Sequence, residues 1–122
     1  IHTTRLHGLQ GLRYRDTVSN VDDCMQAEEV LTITAETDRI YADLTADVHI
    51  EQAHQVLQIR QAGFSDAVVW NPWLEKTAQI SDLESHAYQH MVCVEAASIM
   101  QPVVLAPGQV WAGMQLMSVD TK

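Results

Sequence analysis

Residues 68–97 read VVWNPWLEKTAQISDLESHAYQHMVCVEAA, and this stretch carries the strongest fold signal in the chain. A Val/Val/Trp run ends at Asn71 and Pro72, and a second apolar run, MVCV, occupies residues 91–94; both have the composition of β-strands. We interpret the second run as a strand buried on both faces. Glu95 follows it, and an ionised carboxylate leaving a buried strand must be paired, hydrogen-bonded or directed into a cavity. Glu95 is therefore the leading candidate for chemistry, and a structural ion pair with an arginine is the alternative.

Outward from this stretch, short apolar runs recur between turn residues, which is typical of an all-β sandwich or barrel. The partly alternating residues 48–52 and 55–61 predict a hairpin. Residues 73–83 are the only segment where a short helix is expected, and the polar residues 19–26 are expected to form a loop. Further strands are expected within residues 4–9, 12–15, 30–34, 39–42, 67–71, 90–97, 102–105 and 109–119, with a polar corner at 35–38.

The bulk composition is that of a globular protein. A length of 122 residues allows one domain, and the apolar and charged fractions are 47% and 19%, close to the usual mixture. No apolar run approaches the roughly 18 residues of a membrane span, and no secretory leader begins the chain, so a cytoplasmic location is expected. The chain starts at Ile1, without Met and inside a strand-like pattern, so we expect a fragment of a larger fold.

The charge balance excludes several classes of partner. Sixteen acidic and seven basic residues give a net charge of −9, which repels nucleic acid and anionic lipid surfaces. No Gly-rich phosphate loop, GxSxG or metalloprotease motif is present. The two cysteines, Cys24 and Cys93, are far apart in sequence and are expected to be reduced packing residues. No cofactor is predicted.

Metal binding is the obvious hypothesis for the six histidines. His86 and His90 are four residues apart, which would place both on one face of a helix. The segment has no helical apolar stripe and no third ligand, so a solvated loop explains these residues better. His7 has a slightly better claim to a cleft, because neighbouring glycines permit close approach. No metal site is predicted.

A reaction that opens a sugar ring needs a base for the anomeric hydroxyl and an acid for the ring oxygen, and Glu95 suits the base. Asp38 is a second carboxylate that could reach substrate hydroxyls from a corner, although such residues more often cap turns. Trp73 follows a strand end and could stack on a pyranose face, whereas core packing is expected for Trp70 and Trp111. Asn71 could hydrogen-bond a sugar hydroxyl or cap the following turn.

The motifs together resemble a known family. VVWNPW, EK soon after it, MVCVEAA and PVVLAPGQVWAGMQLMSV are similar to the C-terminal part of hexose-6-phosphate mutarotases, also called glucose-6-phosphate 1-epimerases, of the aldose 1-epimerase-like superfamily. ETDRIY at residues 36–41 and GLQGLRYRD at 8–16 match the same family. The resemblance covers nearly the whole chain.

The resemblance implies a large twisted β-sandwich, the galactose mutarotase-like supersandwich, of which residues 1–122 are the C-terminal portion of a single domain. It implies that Glu95 is the catalytic base and that Asp38 contacts a hexose 6-phosphate, with no cofactor or metal. The family's acid histidine and phosphate-binding arginines lie upstream of anything that matches Ile1. The isolated chain is therefore expected to be inactive and to associate with itself through exposed strand edges.

Two other functions stay open. A non-catalytic carbohydrate-binding or interaction module could keep the strands without the chemistry. An aldose 1-epimerase acting on galactose is disfavoured, because VVWNPW followed by CVE looks closer to the branch acting on phosphorylated sugars.

Overall fold

Two antiparallel sheets of five strands each make up the fold, in a computed structural model that describes Ile1–Lys122. Sheet I has the strand order β10-β7-β6-β1-β4, and sheet II has the order β3-β2-β5-β8-β9. The strands are β1 Arg5–His7, β2 Arg13–Asp16, β3 Val21–Met25, β4 Leu31–Thr32, β5 Thr37–Tyr41, β6 Val48–Glu51, β7 Gln55–Ala62, β8 Asp66–Asn71, β9 Cys93–Ala97 and β10 Met114–Thr121.

The core lies between the two sheets. Side chains alternate between the faces of a strand, so every second residue of each strand points inward. Leu6, Ile50 and Ile59 of sheet I and Tyr41 and Val69 of sheet II are each at most 8% exposed and belong to one cluster of 11 buried residues. This arrangement confirms the predicted all-β sandwich.

The 48–61 hairpin is confirmed, because β6 pairs with β7 in an antiparallel register from Val48 opposite Ile59 to Glu51 opposite Val56. The loop predicted at residues 19–26 is wrong. Residues Val21–Met25 form edge strand β3, whose side chains are mostly exposed. An edge strand with two solvated faces tolerates polar residues, so the sequence has no apolar alternation there. Ion pairs from Arg13 and Arg15 of β2 to Asp23 and Asp22 hold the edge in place.

The expected strand at residues 102–105 is absent, and the strand expected at 109–119 begins later, as β10 at Met114. The polar corner expected at 35–38 is shorter than predicted, because Asp38 lies inside β5.

The chain between β8 and β9 contains the helical segments. The helix α1, Trp73–Thr77, is shorter than the predicted 73–83, and one turn of 3-10 helix follows at Ala87–His90. Trp73 begins α1 with φ 55°, a left-handed conformation that non-glycine residues rarely adopt. Neither helical segment has the length and apolarity that crossing a lipid bilayer requires.

Strand β9 differs from the strand buried on both faces that the MVCV run predicted. It covers Cys93–Ala97 and lies at the edge of sheet II, with β8 as its only partner. Val94 is opposite the fully buried Val69 and faces the core, whereas Glu95 is exposed. A continuous apolar run therefore does not require two buried faces here. Val94 faces the core, whereas Cys93 lies on the opposite side of the strand and is only half-buried.

Candidate functional site

The candidate site is the face of sheet II that points away from the core, and the alternation of β8 defines it. Val69 and Asn71 are fully buried and point inward. Val68 and Trp70 must therefore project from the opposite surface, because neighbouring side chains of a strand lie on opposite faces. We call this surface the outer face of sheet II.

The strand register aligns two rows of side chains across the outer face. Asp38, Trp70 and Cys93 are directly opposite one another on β5, β8 and β9. The second row, Ile40, Val68 and Glu95, lies two residues further along the same strands. Directly opposed residues share a face, so Asp38 and Glu95 border a surface with Trp70 between them. With ordinary strand spacing, the Cα atoms of Asp38 and Glu95 are about 12 Å apart.

Both carboxylates on this face are free of ion-pair partners. The six ion pairs in the chain involve other acidic residues, namely Asp16, Asp22, Asp23, Asp47 and Glu51. Glu95 is exposed and Asp38 is half-buried. The structural alternative for Glu95, a salt bridge to an arginine, is thus not what the structure contains, and both groups are available to a ligand.

The pKa of the Cys93 thiol depends on the charge of this face. Burial and, secondarily, the negative charge of Glu95 raise the pKa of the Cys93 thiol above its ordinary 9.0. Both residues lie on β9, two positions apart, on the same side of the strand. The geometry thus couples the thiol to the proposed base.

We expect the substitution Glu95→Gln to speed alkylation of Cys93. Removing the carboxylate removes a charge that opposes thiolate formation, so the pKa of Cys93 falls and more thiolate is present at a given pH. Iodoacetamide labelling at pH 8, followed by mass spectrometry of the Cys93 peptide, measures the rate. Labelling of Cys24 on β3 is the internal control, and an unchanged ratio of the two rates would contradict the placement of Glu95.

Asn71 has a structural position in the chain. It is fully buried, its Nδ2 donates to the carbonyl oxygens of Tyr88 and Met91 at 2.9 and 2.8 Å, and its Oδ1 accepts from the Trp73 backbone N–H at 2.9 Å. These hydrogen bonds hold residues 72–91, in the connection between β8 and β9, against the end of β8. The hydrogen-bonding groups of Asn71 are thus occupied within the chain, which corrects its prediction as a sugar contact.

The substitution Asn71→Ala is expected to destabilise the fold by about 3 kcal/mol, because it leaves buried backbone groups without partners. A domain of this size would lose about 10 °C in Tm. Thermal unfolding followed by circular dichroism measures the change, with Gln79→Ala at an exposed position as the control. Equal melting temperatures for the two variants would contradict the structural role.

Trp73 also lies away from the outer face. It packs against the core, and the centroid of its ring is 5.6 Å from that of His2 and 5.2 Å from that of Tyr88. The structure therefore corrects the expectation that Trp70 fills the core, and it places Trp73, the tryptophan expected near a ligand, against the core. The signal that distinguishes them is strand parity: counted from the inward Asn71, Trp70 points outward.

Arg15 is a second residue that sequence reasoning missed. It lies opposite Ile40 and so at the far end of the row that carries Glu95. Its Nε donates to Asp22 at 2.5 Å, so its charge is neutralised locally. The same signal, alternation along β2 from the inward Tyr14, would have placed it on the outer face.

Two clefts of the surface lie near the sandwich faces, and the second of them borders the Arg15 end of the outer face. One of about 470 Å³ is lined by residues that include Ile1, Gln52 and Gln89. Another of about 330 Å³ is lined by Arg13, Arg15 and neighbouring residues. Asp38 and Glu95 line neither of these two clefts.

The histidines do not gather into a site. His7 Nε2 is 3.1 Å from Glu51 Oε2 on sheet I, away from the outer face of sheet II. His90 ends the 3-10 turn and His86 precedes that turn, and no three His, Cys, Asp or Glu side chains come together as a group that could hold a metal ion.

Fold and site together define a β-sandwich protein with two carboxylates that have no ion-pair partner and a tryptophan between them on one sheet face. A family profile described as Aldose 1-epimerase matches residues 1–118. The chain therefore belongs to the aldose 1-epimerase family.

Two relatives illustrate this relationship. A Cenchrus ciliaris protein named provisionally as a glucose-6-phosphate 1-epimerase is 29% identical over 115 residues, which is 93% of this chain and 35% of the relative. The crystal structure of a protein named HI1317 superposes with a TM-score of 0.79 at 19% identity, over 98% of this chain and 41% of that one. It supports the fold alone. The chain thus spans well under half the length of the proteins it matches.

Proposed function

We propose that this chain supplies the base side of an active site that interconverts the α and β anomers of a hexose 6-phosphate. The observation that carries the proposal is the presence of Glu95 and Asp38, both without ion-pair partners, on one sheet face with Trp70 between them. Membership of the aldose 1-epimerase family and the name of the Cenchrus ciliaris relative support the reaction and the substrate.

In the proposed reaction, Glu95 accepts the proton of the anomeric hydroxyl while an acid protonates the ring oxygen. The C1–O5 bond breaks, and the electron pair of the former hydroxyl forms the aldehyde C=O. Rotation about C1–C2 presents the other face of the aldehyde. As the ring closes, the O5 hydroxyl gives its proton back to the acid's conjugate base, and Glu95 returns its proton to O1. Asp38 accepts hydrogen bonds from sugar hydroxyls, and Trp70 offers an apolar surface to the pyranose ring.

The acid and the phosphate clamp are not among the residues of the outer face. The cations of β2 on this face, Arg13 and Arg15, are engaged by Asp23 and Asp22, and the chain as a whole carries a charge of −9. A phosphate dianion is normally held by arginines free to form bidentate contacts. We therefore propose that residues 1–122 act as the C-terminal portion of one mutarotase domain and are inactive alone.

The test compares two proteins. One is the 122-residue chain, and the other is an extended chain that also contains the residues encoded in the same reading frame upstream of Ile1. Anomer-resolved NMR exchange measurements on glucose 6-phosphate follow the reaction. We expect catalysis by the extended chain and only the spontaneous rate with the 122-residue chain. Full activity of the short chain would contradict the division of the site, and an extended chain without activity would contradict the enzyme assignment.

A non-catalytic carbohydrate-binding module is the second candidate, favoured by the exposure of Glu95 on the outer face. The same experiment separates the two functions, because a module binds the sugar phosphate in NMR titrations without accelerating anomer exchange.

Parallel measurements with galactose test the preference for a phosphorylated substrate. Faster turnover of galactose than of glucose 6-phosphate would contradict the proposed substrate.

A further inference from the structure

Residues 98–101, which we call the strap, cross the outer face of sheet II directly after β9. Gln101 Nε2 donates a hydrogen bond to Asp43 Oδ1, just past the end of β5, at 2.8 Å. Met100 lines the cleft of about 330 Å³ together with Arg13 of β2. The strap therefore runs from β9, at one edge of sheet II, across the sheet toward β2.

The side chain of Asp66, at the start of β8, holds the strap. Asp66 is fully buried, and it lies on the same side of β8 as Val68 and Trp70. Its Oδ2 accepts hydrogen bonds from the backbone N–H groups of Ile99 and Met100 at 2.7 and 2.6 Å. Its Oδ1 is buried without a hydrogen-bond partner, and Asp66 takes part in none of the six ion pairs. The two bonds to the strap are thus the contacts that hold this carboxyl group.

The position of Glu95 depends on the backbone of β9, because no ion pair holds its side chain. Strand β9 has a single neighbour, and its pairing with β8 ends where Ala97 lies opposite Asp66. Strand ends with few contacts open most readily. The bonds from Asp66 to the strap begin two residues past this end, so they hold β9 on β8 close to the proposed base.

We propose that Asp66 is a positioning residue for Glu95, and that it acts by fixing the end of β9 through the strap. This inference rests on the proposed function, because it assumes that Glu95 is the base. A shift of about 1 Å in a reacting group can cost about 100-fold in rate. Loosening the end of β9 should therefore lower kcat, although Asp66 itself is buried and does not contact the substrate.

Substitutions at Asp66 separate its hydrogen bonds from its charge. Asp66→Asn keeps an oxygen that can accept both hydrogen bonds, whereas Asp66→Ala removes them. Ile99 and Met100 are 44% and 38% exposed, so water can hydrate the released N–H groups and the alanine variant is expected to fold. Asp66→Ser is the second variant, because its hydroxyl is one bond shorter than the carboxyl group and cannot hold the strap.

Anomer-resolved NMR exchange with the extended chain and glucose 6-phosphate measures kcat and KM, at a temperature where circular dichroism shows that every variant is folded. We expect Asp66→Ala and Asp66→Ser to lower kcat about 30-fold with KM changed less than about twofold, and Asp66→Asn to stay within about threefold of the parent. Ile59→Val, in the core on sheet I, is the matched control, because it lowers Tm but leaves kcat unchanged.

Alkylation of Cys93 is a readout that does not need catalysis. If the end of β9 lifts from β8, the half-buried thiol of Cys93 becomes more accessible. Labelling of Cys93 by iodoacetamide, relative to Cys24, should be at least about threefold faster in Asp66→Ala than in the parent. Asp66→Asn and Ile59→Val should leave this ratio unchanged.

The results that contradict this role are distinct from those that contradict the proposed function. A kcat or a labelling ratio in Asp66→Ala and Asp66→Ser equal to that of the parent would overturn the positioning role. Equal losses of kcat in Asp66→Ala and Asp66→Asn would also overturn it, because the asparagine keeps the hydrogen bonds. An extended chain that is inactive with its own sequence would overturn the proposed function, and the labelling ratio would still decide whether Asp66 holds β9.

Discussion

The substitution Glu95→Gln is expected to lower kcat/KM of the extended chain for glucose 6-phosphate by at least about 10³-fold, within the range that general-base catalysis contributes. Glutamine has the shape of glutamate but cannot accept the anomeric proton. The loss should fall on kcat, with KM changed little, because the group acts on the transition state rather than on ground-state binding. NMR anomer exchange provides both parameters.

Glu75→Gln is the matched control, because Glu75 is exposed on α1 and lies outside the outer face of sheet II. It removes the same charge from the same chain, so it separates a local effect at Glu95 from a change in net charge. Turnover that is equal for the two variants would contradict the role of Glu95 as the base. A loss confined to KM would instead indicate that Glu95 is a binding residue.

The fold class could be read from the sequence because local patterns determine it. Alternation at 48–61 predicts the β6–β7 hairpin, and the short β-rich runs predict a sandwich. The edge strand β3 could not be found this way, since Asp22 and Asp23 interrupt any apolar pattern and are stabilised by arginines on the neighbouring strand. Which residues pair across strands is not a local property of the sequence.

The candidate site was only partly predictable for the same reason. The sequence indicates Glu95 and Asp38 only as individual carboxylates, and the register places them on one face. The environment predicted for Glu95 is wrong, because β9 is an edge strand and the carboxylate is exposed. A single-sequence pattern cannot distinguish an edge strand from a central one, since both present the same apolar inner face.

The two tryptophans near Pro72 provide the second large expected effect, because Trp70 lies on the outer face whereas Trp73 packs against the core. Trp70 lies on the outer face in the row of Asp38, so Trp70→Ala removes the apolar surface available to the sugar ring. We expect the affinity of the extended chain for glucose 6-phosphate to fall at least about tenfold, or 1.4 kcal/mol, with little change in stability. Calorimetric titration measures this loss.

Trp73→Ala is the matched control and should show the opposite pattern, a loss of stability with unchanged affinity. Trp73 packs on the core between His2 and Tyr88, so truncation leaves a cavity and costs about 3 kcal/mol of the free energy of unfolding. Its removal also leaves the left-handed φ of 55° on an alanine, which gives no relief of strain. Folded Trp73→Ala protein should bind the sugar phosphate normally. If Trp73→Ala abolishes binding while Trp70→Ala retains it, the ligand meets the end of the sandwich and the outer face of sheet II is not the site.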